Sequence, residues 1–460
     1  LSISPPSESS RPLSDQATDR YATYRFWLLV SDVTCFAGEQ MALLIAAFLI
    51  YQKTRSVVAV GLIVVLYNVP RIALASLANA LSIHWGAART CWLLLSAEIF
   101  ACLAVAGIAF AHELSAVVLL AWVTVIGIIE GLDAPNPSLL RMAMTPPDIW
   151  LEYNGSHTRS LTLGTIGGML LAGVVYGFGG PAWVFLLAAL GFLPPVITFF
   201  LFSRNSVDLT VELEEQGSIR EGWRYLRKDP GSWSALRLMI LVFFVSGYAV
   251  LLPAIASHIG SRPEILSILE VGTVVGGLFV AIAVKHLHGR VGWSRVRMFC
   301  SVMAGVMIGM MAVAEYVGGA HSSIASVLVV LATVPVGFAI LMNSTVLIAG
   351  MQLITPPRHR SSAYTILALI PLAVAALGQE FTGLLADIFS VPAAFGVLAV
   401  VTLGANVVVS HRPMGAQLRA LDGIEDPPTV HHPMRRGRES EDVGHHRHWP
   451  TMPGREETSK

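Results

Sequence analysis

The chain has 460 residues, of which 54% are hydrophobic and only 13% charged, with Lys plus Arg and Asp plus Glu balanced at 30 each. A soluble domain carries about 25% charged residues, so this chain cannot clothe an ordinary water-facing surface, and its mean hydropathy of +0.65 agrees. The formal charge of zero says nothing about nucleic acid by itself; no basic stripe occurs outside loops and tails, and no nucleic-acid partner is expected.

In chain order, residues 1–20 are Ser- and Pro-rich without the apolar segment of a secretory leader, and read as a disordered cytoplasmic tail. A bilayer core needs about 20 apolar residues of helix. Such runs recur at 26–50, 57–82, 89–111, 114–134, 160–180, 182–203, 235–258, 264–285, 295–317, 322–350, 361–385 and 390–411. A barrel would alternate polar and apolar residues in ten-residue strands. These runs are apolar all round, and helix satisfies its own backbone groups in lipid. The predicted fold is an all-α polytopic membrane protein with twelve transmembrane helices. Its parts are an N-tail (1–20), a first bundle (21–203), a linker (204–234), a second bundle (235–412) and a C-tail (413–460).

In the linker, Ile219, Trp223 and Leu226 fall at i, i+4 and i+7 between basic residues. That pattern reads as an amphipathic helix on the cytoplasmic membrane surface, or as a solvated linker helix. The C-tail carries five histidines from His431 to His448. It reads as solvated tail rather than a metal site. The cysteines Cys35, Cys91, Cys102 and Cys300 all lie within apolar runs and read as small core residues, not as a disulfide or zinc framework. Placing both tails and alternate loops on one side collects all 30 basic residues there except Lys53, Arg55, Arg262 and the intrahelical Arg71. The positive-inside rule then puts both termini in the cytoplasm of a cell membrane.

The two bundles repeat. Thr145-Pro146-Pro147-Asp148 matches Thr355-Pro356-Pro357-Arg358 at an offset of 210, as do Gly168 with Gly378 and Phe185 with Phe395. Trp85-Gly86-Ala87-Ala88-Arg89 matches Val291-Gly292-Trp293-Ser294-Arg295 at an offset of 206. Six helices, a linker and six related helices form the plan of a secondary transporter.

Over residues 20–412 the chain resembles the major facilitator superfamily, and within it the enterobactin-exporter-like branch of bacterial efflux proteins. The branch resemblance rests on Gly38-Glu39-Gln40-Met41, Thr54-Arg55-Ser56 and Leu163-Gly164-Thr165-Ile166-Gly167-Gly168. It rests also on Glu221-Gly222-Trp223-Arg224-Tyr225-Leu226 and on Met351-Gln352-Leu353-Ile354-Thr355-Pro356 followed by Arg358-His359-Arg360. The superfamily's helix 2–3 signature, Gly-x-x-x-Asp-Arg-x-Gly-Arg-Arg, is degraded here. Ile83 and His84 stand where it has Asp-Arg, while Gly86 and a displaced Arg89 remain. The resemblance implies a gate at His84, Gly86, Arg89 and, in the second bundle, Arg290 and Arg295. Thr165 stands in place of a helix 5 proline.

An ionised side chain at mid-bilayer costs about 2.5–3.5 kcal/mol, so it faces a cavity or a partner. Asp32 and Glu39, seven residues apart, share a face of the first helix, with Glu39 roughly 20 Å from Phe26. The resemblance implies that this helix lines a central cavity. Glu39 then reads as a proton or substrate site, with Asp32 nearer the cytoplasm. Arg71, after Pro70, pairs with Glu39 or Asp32 or meets an anionic substrate. Glu130 lies beside Gly127 and Gly131, and Asp133 at its helix end reads as a gate or cap. Glu98 and Glu380 fall on helices the family places less centrally, and Glu270 near the outer interface. Gly127/Gly131, Gly164/Gly168, Gly173/Gly177, Gly272/Gly276 and Gly305/Gly309 are small-xxx-small pairs that let helices approach closely.

No phosphate-binding loop or His-Glu-x-x-His motif occurs, and nothing calls for a cofactor. The expected function is proton-coupled efflux of a small amphipathic molecule, such as a siderophore or antibiotic. Its partners are that substrate, the proton and the bilayer, and no oligomer is required. A facilitator or importer of another solute, and a non-transporting membrane scaffold or sensor, remain the alternatives.

Overall fold

A computed structural model describes residues 13–133, 136–145, 149–204, 219–260, 262–287, 292–318, 323–355 and 360–411. Among these residues the chain is helical throughout, with no strand. The first set comprises α1 (Leu13–Thr54), α2 (Val57–Trp85), α3 (Ala87–Phe110), α4 (Ala116–Asp133), the short α5 (Asn136–Met144), α6 (Trp150–Gly179), α7 (Pro181–Gly191) and α8 (Leu193–Arg204). The connecting α9 (Ile219–Lys228) leads to α10 (Pro230–Val245), a 3-10 turn (Ser246–Leu251) and α11 (Leu252–Ile259). Then follow α12 (Pro263–Leu287), α13 (Trp293–Gly318), α14 (Ser323–Ile354), α15 (Arg360–Ile388) and α16 (Val391–His411).

Ten of the described stretches are long and apolar enough to cross a membrane, and Val391–Ala405 is a shorter apolar one. The remaining expected run, 361–385, is helical as α15. The sixth and seventh runs are broken. Pro194 and Pro195 lack the N–H that would continue α7 into α8, and the seventh run tightens into the 3-10 turn ahead of Pro253. Two helices reach further than hydropathy suggests. The first starts at Leu13, not after residue 20, because residues 13–25 hold neither Gly nor Pro and follow Pro12. The fifth run begins at Trp150 in α6, so its first turns are polar and carry Tyr153 and His157.

Within the first set α1 packs on α6, α2 on α4, and α3 on α7 and α8; within the second, α12 and α13 pack on α14, α13 on α16 and α10 on α15. The sequence repeat has a packing counterpart. A Cβ on Gly168 of α6 would collide with the Ala37 backbone of α1, and one on Gly378 of α15 with the Phe244 backbone of α10. Phe185 and Phe395, the second matched pair, are both fully buried. The linker stripe divides. Leu226 is buried against Ala235, Leu236, Met239, Leu347 and Met351, whereas Trp223 is exposed with its ring edge-on to Trp233 at 5.7 Å.

Candidate functional site

The two sets meet where α2 crosses α15 and α6 crosses α12. A cavity of about 280 Å³ lies between them. Its wall takes Gln40, Leu43 and Leu44 from α1, Ile63, Val64 and Tyr67 from α2, Met169 from α6, Pro253 from α11, Glu270 from α12 and Gln379 from α15. Most of these side chains are apolar, and Glu270 is the one carboxyl among them.

One end of the interface is held by polar bonds. Asp387, near the end of α15, accepts hydrogen bonds from the Ser56 hydroxyl at 2.5 Å, the Val57 N–H at 2.7 Å and the Val58 N–H at 3.3 Å. Those two N–H groups open α2 and have no intrahelical acceptor, and the positive end of the helix dipole favours a carboxylate there. Ser56 accepts from Ala59 N–H at 3.2 Å, so the first turn of α2 is fully capped. Arg55 donates to Ser257 at 3.0 Å at the same end. Glycines let the helices close. A Cβ on Gly173 of α6 would lie 2.7 Å from Ser267 Oγ and 2.9 Å from Glu264 Cα of α12, and one on Gly383 of α15 would lie 3.1 Å from Val57 and Val58 of α2.

Next to the cavity the first set buries a group of charges. Tyr67, on the cavity wall, donates its hydroxyl proton to Glu39. Glu39 itself is buried and is not among the wall residues. Arg71, one turn beyond Tyr67, lies 3.7 Å from Glu130 with its guanidinium 4.9 Å over the Tyr67 ring. Glu98 is 1% exposed and has no hydrogen-bond partner at Oε2. Of these three carboxyl groups only Glu130 is paired with the guanidinium.

The family model of the major facilitator superfamily matches residues 28–370. The chain belongs to the major facilitator superfamily. In fold this member is similar to a bacterial homologue of the iron transporter ferroportin in its inward-facing state, with a TM-score of 0.65 and 14% identity over 87% of this chain and 98% of that one. It is similar to a POT family transporter in complex with 5-aminolevulinic acid, with a TM-score of 0.68 and 12% identity over 86% and 96% of the two chains. It is also similar to the nucleoside transporter NupG, with a TM-score of 0.61 and 13% identity over 86% and 98%. No curated protein matches it by sequence. As a member of this superfamily it is a transporter and not an enzyme.

Against the expectations for this superfamily member, the ion pairs are rearranged. Arg71 pairs with neither Glu39 nor Asp32. Gly131 brings the α4 backbone against Arg71, where a Cβ would lie 2.8 Å from Arg71 Cα, and this close crossing delivers Arg71 to Glu130 instead. Asp32 is bound from α5 and α6, by Arg141 at 2.8 Å and by His157 Nδ1 at 2.7 Å. Glu270 lies on the cavity wall, where α12 faces α6 across the junction of the two sets. Glu98, on α3, is fully buried. Glu380 abuts α2, where a Cβ on Gly61 would lie 3.2 Å from its Oε1, an oxygen with no hydrogen-bond partner.

At the degraded signature, Gly86 has φ +83° and joins α2 to α3, and its carbonyl accepts from the Thr90 hydroxyl at 3.0 Å. His84 and Arg89 are exposed beside it. The nearby buried polar contacts run through other residues. Ser82 donates to Asn136, whose side-chain amide donates to Asp133 at 3.3 Å, joining α2, α5 and α4. Arg295 is exposed in the first turn of α13, and Arg290 lies outside the described residues, as does the C-tail. Sequence reasoning missed Arg141, His157, Tyr67 and Asp387. Arg141 counted only as a loop charge, His157 preceded its hydrophobic run, Tyr67 was scored apolar, and Asp387 fell just past one. Arg297, also missed, is 6% exposed in α13 with Nε unpartnered.

Proposed function

We propose that this transporter is a proton-coupled exporter of a small amphipathic molecule, of the siderophore, antibiotic or other natural-product kind, working by alternating access. The observation that carries the reading is the burial of Glu39 and Glu98 in the bundle that holds the Arg71–Glu130 pair, with Tyr67 joining Glu39 to the cavity wall. Buried carboxyls in excess of their cations are costly when all are ionised, and proton exchange relieves that cost. In this reading Glu39 and Glu130 carry the exchanged proton, Arg71 sets the charge balance, and Tyr67 links proton occupancy to substrate occupancy. Asp32, tied to Arg141 and His157, holds α1 against α5 and α6. Asp133 and the residues around Gly86 form the cytoplasmic gate, with hydrogen bonds in place of the superfamily's Asp-Arg relay.

The positive-inside distribution supports cytoplasmic termini in the cell membrane. On that orientation the end sealed by Asp387 is the outer one, and the two bundles, 21–203 and 235–412, rock about the cavity. The export direction rests on the resemblance to the enterobactin-exporter-like branch. The test is accumulation of labelled siderophores and antibiotics in everted vesicles. Energised vesicles should take up at least one compound, an ionophore should abolish the uptake, and Glu39→Gln should reduce it at least tenfold. Uptake that ignores both the ionophore and Glu39→Gln would refute the proton-coupled reading.

A further inference from the structure

The cavity wall carries a chemical preference of its own. Glu270 sits on it among apolar side chains, and among the described residues it forms no hydrogen bond or ion pair. Among the described residues no Lys, Arg or His lines the cavity. Arg71, one turn beyond the wall residue Tyr67, is occupied by Glu130 and the Tyr67 ring. An unpartnered carboxyl on a membrane helix is retained at a cost, and its natural complement is a cation brought in from outside. The same carboxylate repels an anion. Leu43, Leu44 and Ile63 offer apolar contact, while Gln40 and Gln379 offer hydrogen-bonding groups from opposite sets. At about 280 Å³ the space suits a ligand of one or two rings, near the lower end of small-molecule pockets.

We infer that the cavity binds amphipathic organic cations, with Glu270 as their counter-charge and Gln40 and Gln379 orienting the polar end from the two bundles. This deepens the transport reading and rests on it for the cavity's role as the substrate site. It assigns the substrate charge to α12, away from the carboxyls of the first bundle that carry the proton. A cation bridging Glu270 in the second set and Gln40 in the first draws the sets together around itself, as substrate-dependent closure requires.

The test is equilibrium binding of radiolabelled benzyltriethylammonium to the full chain in lipid nanodiscs, with toluenesulfonate as an anionic probe of similar size. The wild-type chain should bind the cation and not the anion. Glu270→Gln should weaken cation binding at least tenfold, and Glu270→Asp should keep most of it. Moving the carboxyl across the cavity, in Glu270→Gln with Gln379→Glu, should restore binding, which a merely misfolded variant could not do. The inference is overturned if the wild-type chain does not bind the cation, if Glu270→Gln binds it equally well, or if the anion binds more tightly. Failure of the proton-coupled reading looks different. Cation binding would persist and depend on Glu270, while a pH gradient drove no solute across vesicles.

Discussion

Asp387→Ala perturbs the latch at the sealed end without touching the cavity. Its carboxylate accepts three bonds from the start of α2, at 2.5, 2.7 and 3.3 Å, and these exist only while α15 lies against α2. Losing a helix cap costs about 0.5–2 kcal/mol, and losing a carboxylate at a helix N-terminus about 0.3–1 kcal/mol. The site is largely exposed, so water replaces part of both contributions, and about 1 kcal/mol of bias toward the sealed state should disappear. At tenfold per about 1.4 kcal/mol, that is a roughly fivefold shift toward the state open at this end. Spin labels on Lys53→Cys and Tyr316→Cys, exposed residues of the first and second sets near this end, report the change by double electron–electron resonance. Cys35, the only half-buried cysteine, is replaced by Ala in that background. A longer-distance population should grow with Asp387→Ala, and by about half as much with Asp387→Asn, which keeps one acceptor. Identical distance distributions in all three chains would refute the latch.

Gly173→Val should produce a similar opening, because its side chain must occupy the 2.7 Å gap to Ser267, whereas Gly167→Ala, with open space around it, should change nothing in the same measurement. Arg141→Met leaves the nearly buried Asp32 with His157 alone and should cost about 3 kcal/mol, read as a lower melting temperature, with Asp32→Asn in the same chain recovering most of the loss. Tyr67→Phe removes the donor to Glu39 and should cost about 1–3 kcal/mol of stability. The cost should be clearly smaller in a Glu39→Gln chain, and equal costs in both backgrounds would rule out the pairing.

Much of the fold was legible because the membrane imposes a simple rule. A run of about 20 apolar residues becomes a helix, since no other local structure satisfies its backbone in lipid. The breaks at Pro194 and Pro195 and the polar first turns of α6 were not legible from hydropathy. Helix continuity depends on backbone donors and on neighbouring helices as much as on side-chain polarity. Individual charges were legible, since every intramembrane acid stands out against Leu, Val and Ile. Their partners were not. Arg71 goes to Glu130 because Gly127 and Gly131 let α4 touch the α2 backbone, a contact between residues about 60 positions apart. Asp387 and Ser56 are separated by 331 positions, and nothing local to either announces the bond. Gly168 and Gly378 lie between these cases. Their offset was visible, but its meaning, two equivalent helix crossings, needed the packing.

Proton flux measured alongside solute flux tests proton-coupled export most directly. Protein reconstituted with a lumenal pH dye is given a gradient of whichever solute everted vesicles accumulate. The expected result is proton movement opposite to the solute in the wild-type chain. A chain carrying Glu39→Gln and Glu130→Gln should show none, although it still binds the solute. Solute moving down its gradient at an equal rate in both chains, with no change in lumenal pH, would contradict it.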